Sequence, residues 1–174
     1  MKLKEAPRTF STAHMIATQM TMADLDELSA MFADPQFVAV FGVTRTRDQV
    51  KEAIEKNIIH WQQHGFGYYV FRDKKSHAFI GRGGLRFMDT DDLKGVEIAY
   101  ALMPSYWGKG LATEMARAFV DIAFNILGLD EIIGFTTTTN KGSQHIMEKL
   151  GFKYERTFTY SDLPHVLYRL KHKK

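Results

Sequence analysis

Apolar residues recur along this chain with two periods, one helical and one alternating. Leu25, Leu28 and Phe32 give a helical stripe from Thr21 to about Ala33, and Asp34-Pro35 predicts its stop. Val50, Ile54, Ile58 and Trp61 form a second stripe. Thr46 and Gln49 have the spacing of a capping box at its start, and Gly65 ends it after His64. Leu111, Met115, Ala118, Phe119, Ile122 and Ile126 share one face of a third long helix that closes at Gly128. Ser143–Leu150 reads as a short helix capped by Gly151. Strands are predicted at Arg8–Ala17, Phe66–Arg72, Ala78–Phe87, Val96–Leu102 and Glu131–Thr137, with a closing hairpin of Lys153–Tyr160 and Val166–Leu170. The order βααβββαβαββ predicts an α+β fold, a central mixed and mostly antiparallel sheet flanked by helices.

The junction between Val96–Leu102 and the helix that starts near Leu111 carries the chemistry. It reads as an apolar strand, a short turn, the loop Trp107-Gly108-Lys109-Gly110, and the first helical turn Leu111-Ala112-Thr113-Glu114. Gly108 and Gly110 allow close approach of the backbone to a ligand, and the unpaired N–H groups of a first helical turn point at it. The helix dipole adds positive potential at the same place, so this stretch predicts a phosphate cradle. A P-loop needs Gly-x-x-x-x-Gly-Lys-Ser/Thr and a dinucleotide fingerprint needs Gly-x-Gly-x-x-Gly; neither is present. That argues against a nucleotide-phosphate binder or hydrolase.

Composition narrows the picture further. At 174 residues, 45% apolar and 25% charged, the chain reads as one domain over residues 1–174. No apolar run is long enough for a transmembrane helix, and Met1–Pro7 has no apolar core for a leader. The absence of cysteine excludes a disulfide framework and fits a cytoplasmic enzyme. The net charge is +3, partly from Lys171-His172-Lys173-Lys174, which reads as a solvated, fraying tail. No basic stripe with interleaved aromatics points to nucleic acid. Monomer and homodimer both remain open.

Gly110-x-Ala112 after a glutamate-bearing strand resembles the pyrophosphate loop of the GNAT-superfamily N-acetyltransferases, whose pattern is Gln/Arg-x-x-Gly-x-Gly/Ala. Trp107 departs from it, standing where Gln or Arg is usual. The run Tyr106-Trp107-Gly108-Lys109-Gly110 is the common form of the RimJ/RimL-like branch, which acetylates N-terminal amines of ribosomal proteins among other acceptors. The resemblance extends over Thr12–Ile16, Thr21–Leu25, His64–Tyr68, Phe79–Leu85 and Asn140–Phe152, in the family's order and spacing. It implies the GNAT fold, acetyl-CoA as co-substrate, and an amine acceptor, either a protein N-terminus or a small molecule. It also implies that Trp107, Gly108, Lys109, Gly110, Leu111, Ala112 and Thr113 hold the CoA pyrophosphate. The backbone of Ala101, Leu102 and Met103 would pair with the pantetheine arm.

The residues themselves limit the mechanism. With no cysteine and no Gly-x-Ser-x-Gly elbow, an acyl-enzyme has no obvious nucleophile, so direct amine attack on the thioester is expected. Glu97 is the one acid in an apolar strand, with Ala99 and Ala101 on its side, and is the expected base, directly or through water. The alternative is a glutamate tied to a backbone N–H or an arginine. The tyrosine that many relatives place in the last helix to protonate the thiolate is Met147 here. Ser143 is the next candidate, as in the RimJ/RimL-like branch. Asn140 is expected to contact the cofactor or to fix the strand, and helix capping by Asn140 and Ser143 is the simpler alternative.

Other features carry less. His60 and His64 have metal-ligand spacing but no third ligand nearby, so no metal is expected. Gly81-Arg82-Gly83-Gly84 reads as a strand with a bulge. Arg82, Phe37, Phe41 and Tyr68 are candidates for the acceptor pocket, with core packing as the alternative for the aromatics. A catalytically silent acyl-CoA-binding regulatory module on the same fold is the rival reading.

Overall fold

A computed structural model describes residues 4–174, so part of the N-terminal leader reading, at Met1–Leu3, lies outside the described residues. The strands are β1 (Thr9–Ser11), β2 (Met15–Gln19), β3 (Tyr68–Asp73), β4 (Phe79–Asp89), β5 (Lys94–Leu102), β6 (Glu131–Thr137), β7 (Lys153–Tyr160) and β8 (Leu163–Lys171). The helices are α1 (Leu25–Ala33), α2 (Pro35–Phe41), α3 (Arg47–His64), α4 (Leu111–Asp121) and α5 (Lys141–Lys149). The strands form one sheet in the order β1-β2-β3-β4-β5-β6-β8-β7. Every neighbouring pair is antiparallel except β5 with β6, which run parallel and pair only at Glu97 and Ile133.

Alternation along β5 decides what each face of the sheet packs against. Val96, Ile98 and Leu102 face α4 and its buried Met115, Ala116 and Phe119. Ala101 faces the other way, with Val70, into the layer of Leu28, Met31, Phe32, Phe37, Val50 and Ile54 from α1, α2 and α3. Glu97 shares that second face with Ala101, as its strand position predicts. Arg72 of β3 forks onto Glu27 at 2.6 and 3.0 Å and ties α1 to the sheet.

Three expectations from the sequence are corrected. The first strand is two strands, because the chain turns at Thr12–His14 and pairs Phe10 with Ala17. The turn is pinned to α4, whose Glu114 carboxylate accepts from His14 N–H at 2.7 Å. Asp34-Pro35 ends α1 but also starts α2, which the sequence reading missed. Asp34 Oδ1 accepts from Gln36 N and Phe37 N, and Pro35 sits where a missing N–H costs nothing. Lastly, the basic C-terminus is solvated as expected but tied at His172 rather than frayed. His172 N–H donates to Asp130 O at 2.8 Å, its ring stacks on Phe124, and Lys174 meets Asp130. The bulge expected in the glycine-rich strand lies where β4 slips against β3, between the pairs Phe71–Gly81 and Arg72–Phe79.

Candidate active site

The single parallel pair at Glu97 and Ile133 is the hinge of the site, because β5 and β6 separate beyond it. Met103 N–H donates to Ile80 O on β4, so by alternation Ala101 also turns its backbone toward β4. Tyr100 and Leu102 therefore turn their backbone groups toward the gap. Of the strand residues expected to pair with an extended ligand, Leu102 turns its N–H to the gap, while Ala101 faces β4 and Met103 spends its N–H on Ile80 and its carbonyl on Tyr106 N. Tyr100 turns its backbone the same way as Leu102.

At the mouth of the gap, Gly108 and Gly110 have φ of 74° and 77°, the left-handed region that glycine enters without strain. A Cβ at either would meet no protein atom within 4 Å, so the space beside them is open. The first helical bond of α4 runs from Glu114 N to Gly110 O, which leaves the N–H groups of Leu111, Ala112 and Thr113 without a helical acceptor. These groups border a groove of ≈ 680 Å³ that runs from Gly108 to Ser143. Ala101, Leu102, Trp107, Gly108, Gly110, Leu111, Ala112, Thr113, Asn140 and Ser143 all line it. Met103 and Lys109 do not; the Lys109 ammonium stands over the Tyr106 ring at 5.3 Å. Trp107, in the position usually held by Gln or Arg, donates its indole N–H to Leu102 O at 2.9 Å. It clamps the loop to the end of β5.

Glu97 is 5% exposed and lies where two further cavities meet. Its Oε2 accepts from Arg86 Nε at 3.0 Å and from Arg86 Nη2 at 2.7 Å, so the arginine partner considered from sequence is present. Burial pushes the Glu97 carboxyl above the usual carboxylate range, and the Arg86 charge opposes that shift. One of the two cavities, ≈ 150 Å³, joins Glu97 to Tyr100, Asn140, Ser143 and Met147 and adjoins the groove. The other, ≈ 540 Å³, opens toward α1 and α3 and is lined by Arg82 and Tyr68. Phe41 borders the groove, and Phe37 is core.

Ser143 approaches from the face opposite Glu97. Asn140 caps α5, its Oδ1 accepting from Ser143 N at 3.1 Å, so the capping role is filled while both residues still border the groove. The Ser143 hydroxyl lies 3.1 Å from the Tyr100 hydroxyl. Burial raises the Tyr100 phenol to about 12, which keeps it protonated at neutral pH. Met147 is buried beneath them. Sequence reasoning missed Tyr100, because its hydroxyl meets Ser143 only across 43 residues of chain. It also missed His165, which lines the small cavity with Nδ1 held by Leu163 O. His60 carries no metal-ligand geometry: Nδ1 donates to Phe66 O at 2.7 Å and Nε2 accepts from Phe87 N at 2.9 Å.

A sheet split beside a glycine loop, with unpaired helix N–H groups at its mouth, makes a groove suited to a long phosphate-bearing ligand. The sequence profile of the acetyltransferase (GNAT) domain matches residues 14–153. The chain therefore belongs to the GNAT acetyltransferases and is an acetyl-CoA-dependent N-acetyltransferase. It is 26% identical over 153 residues to an uncharacterized protein, YkkB, of Bacillus subtilis, a match spanning 86% of this chain and 89% of that one. Among solved structures, a ribosomal-protein-S5-alanine acetyltransferase from Vibrio fischeri shares the fold, with a TM-score of 0.76 and 20% identity over 94% and 96% of the two chains. An aminoglycoside acetyltransferase in complex with coenzyme A does likewise, with a TM-score of 0.74 and 23% identity over 90% and 94%.

Proposed function

We propose that the chain transfers the acetyl group to a primary amine, a protein N-terminus or a small molecule, by direct attack in a ternary complex. The small cavity that links Glu97, which also borders the larger cavity, to Ser143, which also borders the groove, is the observation that carries this reading. The N–H groups of Leu111, Ala112 and Thr113 hold the pyrophosphate, and the Tyr100 and Leu102 backbone pairs with the pantetheine arm. Glu97 takes the amine proton, directly or through one water, as the N–C bond forms. As the C–S bond breaks, Ser143 passes a proton to the departing sulfur with Tyr100 behind it. Tyr106-Trp107-Gly108-Lys109-Gly110 supports a place in the RimJ/RimL-like branch.

Initial-rate kinetics test the order of events. Direct transfer gives intersecting lines, and mass spectrometry without acceptor finds no acetyl adduct on the protein. A stoichiometric acetylated protein that acceptor consumes would overturn direct attack. Tight acetyl-CoA binding without turnover across a broad amine panel would leave only a binding module.

A further inference from the structure

The larger acceptor-side cavity has a charge imbalance. Three guanidiniums line its ≈ 540 Å³: Arg45, from the loop before α3, and Arg82 and Arg86, from one face of β4. Gly84 lies between the two β4 arginines, and its missing side chain lets Tyr68 pack against the strand there, where a Cβ would meet Tyr68 Cδ1 at 2.7 Å. The inward carboxylate is Glu97, and Arg86 claims it at 2.7 Å. Glu52 and Lys56 also reach the wall, but they pair with each other at 2.9 Å and are exposed. No carboxylate among the described residues comes within ion-pair distance of Arg45 or Arg82. Aromatic faces hold both instead: Arg45 lies 4.6 Å from the Phe32 ring centre, and Arg82 lies 5.6 Å from Phe32 and 5.0 Å from Tyr68. Stacking on a ring occupies the flat face of a guanidinium, while its N–H donors lie along the edge.

Like charges in a half-enclosed cavity raise one another's energy until an anion enters. We propose that the acceptor is a primary amine bearing a carboxylate, which Arg45 and Arg82 bind while the amine nitrogen reaches Glu97. This rests on the N-acetyltransferase reading above and names its substrate class. The same positive surroundings disfavour an ammonium ion, which favours the neutral amine that attacks. A polycation would add its charge to theirs and is selected against. The volume suits an amino acid or the first residues of an acidic peptide.

CoA release is measured with L-glutamate, with a C-terminally amidated peptide beginning Glu-Glu, with its Gln-Gln counterpart, and with spermidine. The anionic acceptors are expected to exceed the Gln-Gln peptide in kcat/KM by roughly ten- to a hundredfold, the worth of one charge-assisted hydrogen bond. Whichever of glutamate and the Glu-Glu peptide is faster identifies free amino acid or chain terminus as the source. Arg45→Gln and Arg82→Gln should each raise KM for the anionic acceptor by a similar factor without changing KM for acetyl-CoA. Equal or faster turnover of spermidine or the Gln-Gln peptide, or an unchanged acceptor KM in both variants, overturns the proposal. Glutarate, which has no amine, separates this site from the transfer reaction. It should stabilise the acetyl-CoA-loaded protein against heat, and Arg82→Gln should abolish that shift. If no amine is acetylated but this shift appears, the transfer reading fails and the anion site stands. Absence of the shift in the parent protein overturns the site.

Discussion

Replacing Glu97 with glutamine separates a base from a structural ion pair, because the two roles predict different magnitudes. Glutamine keeps the shape and one oxygen acceptor but cannot take a proton. If Glu97 is the base, kcat/KM falls by about 10²–10⁴-fold, the usual worth of a positioned base, or roughly 3–5 kcal/mol of barrier. The stability cost is smaller. Arg86 keeps an oxygen acceptor but loses the charge of a partner whose side chain is only 6% exposed; its own side chain is 37% exposed, so water makes up part of the loss, which is about 1–2 kcal/mol. Burial opposes even this: a carboxyl whose pKa is raised above its unfolded value weakens the fold as pH rises through the raised value, and the neutral amide removes that penalty. The melting temperature should therefore move by no more than about 4–8 °C, as expected for about 2 kcal/mol in a chain of this size. The pH profile carries the second signature. Activity of the parent rises as pH climbs through the raised Glu97 value, and Glu97→Gln should lose that limb. CoA-thiol release under acceptor-saturating and acceptor-limiting conditions, across pH, measures both. A folded Glu97→Gln protein with the parent rate and pH profile refutes the assignment and leaves His165, in the same cavity, as the next residue to substitute.

Gly110→Val places a branched side chain at a φ of 77°, beside space that no protein atom fills, so KM for acetyl-CoA should rise by more than about tenfold through lost N–H contacts to phosphate. Gly110→Ala carries most of the backbone strain, about 1–2 kcal/mol, with little bulk, and unchanged CoA affinity by calorimetry in folded Gly110→Val rejects the cradle. Tyr100→Phe removes the hydroxyl 3.1 Å from Ser143 Oγ and should lower kcat by about tenfold, the worth of one hydrogen bond, with acetyl-CoA affinity unchanged. If the two hydroxyls act as a unit, adding Tyr100→Phe to Ser143→Ala costs nothing further, and full additivity of the two losses refutes the relay. Burial lowers the His60 pKa below its unfolded value of 6.5, so its stabilising contribution is complete above that value and is lost as pH falls through the lower folded value. Calorimetric melting from about pH 7.5 to about pH 5 should show an acid-side decline that His60→Gln flattens, and an identical decline in the variant counts against this role.

The sequence by itself determined what depends on local chain geometry. Apolar spacing placed α1, α3, α4 and most strands, because burying one face requires a fixed period whatever the partner, and the Gly151 cap marked α5. Gly108 and Gly110 disclosed a helix N-terminus that is open to an anion, since positive φ and orphaned N–H groups are properties of a few consecutive residues. Glu97 stood out because an acid in an apolar strand has to be explained. Even the misread Asp34-Pro35 was a local signal with two meanings, the end of one helix and the cap of the next, and only the burial of Phe37 decided for both. What the tertiary structure alone decided depends on residues that are distant in the chain. The gap between β5 and β6 exists because the pairing stops at Glu97 and Ile133, a choice of register that no local pattern encodes. The Tyr100–Ser143 contact and the gathering of Arg45, Arg82 and Arg86 around one cavity arise only when separate elements pack together. Side-chain chemistry is written residue by residue, but the charge and reach of a site belong to the set of neighbours, and folding selects that set.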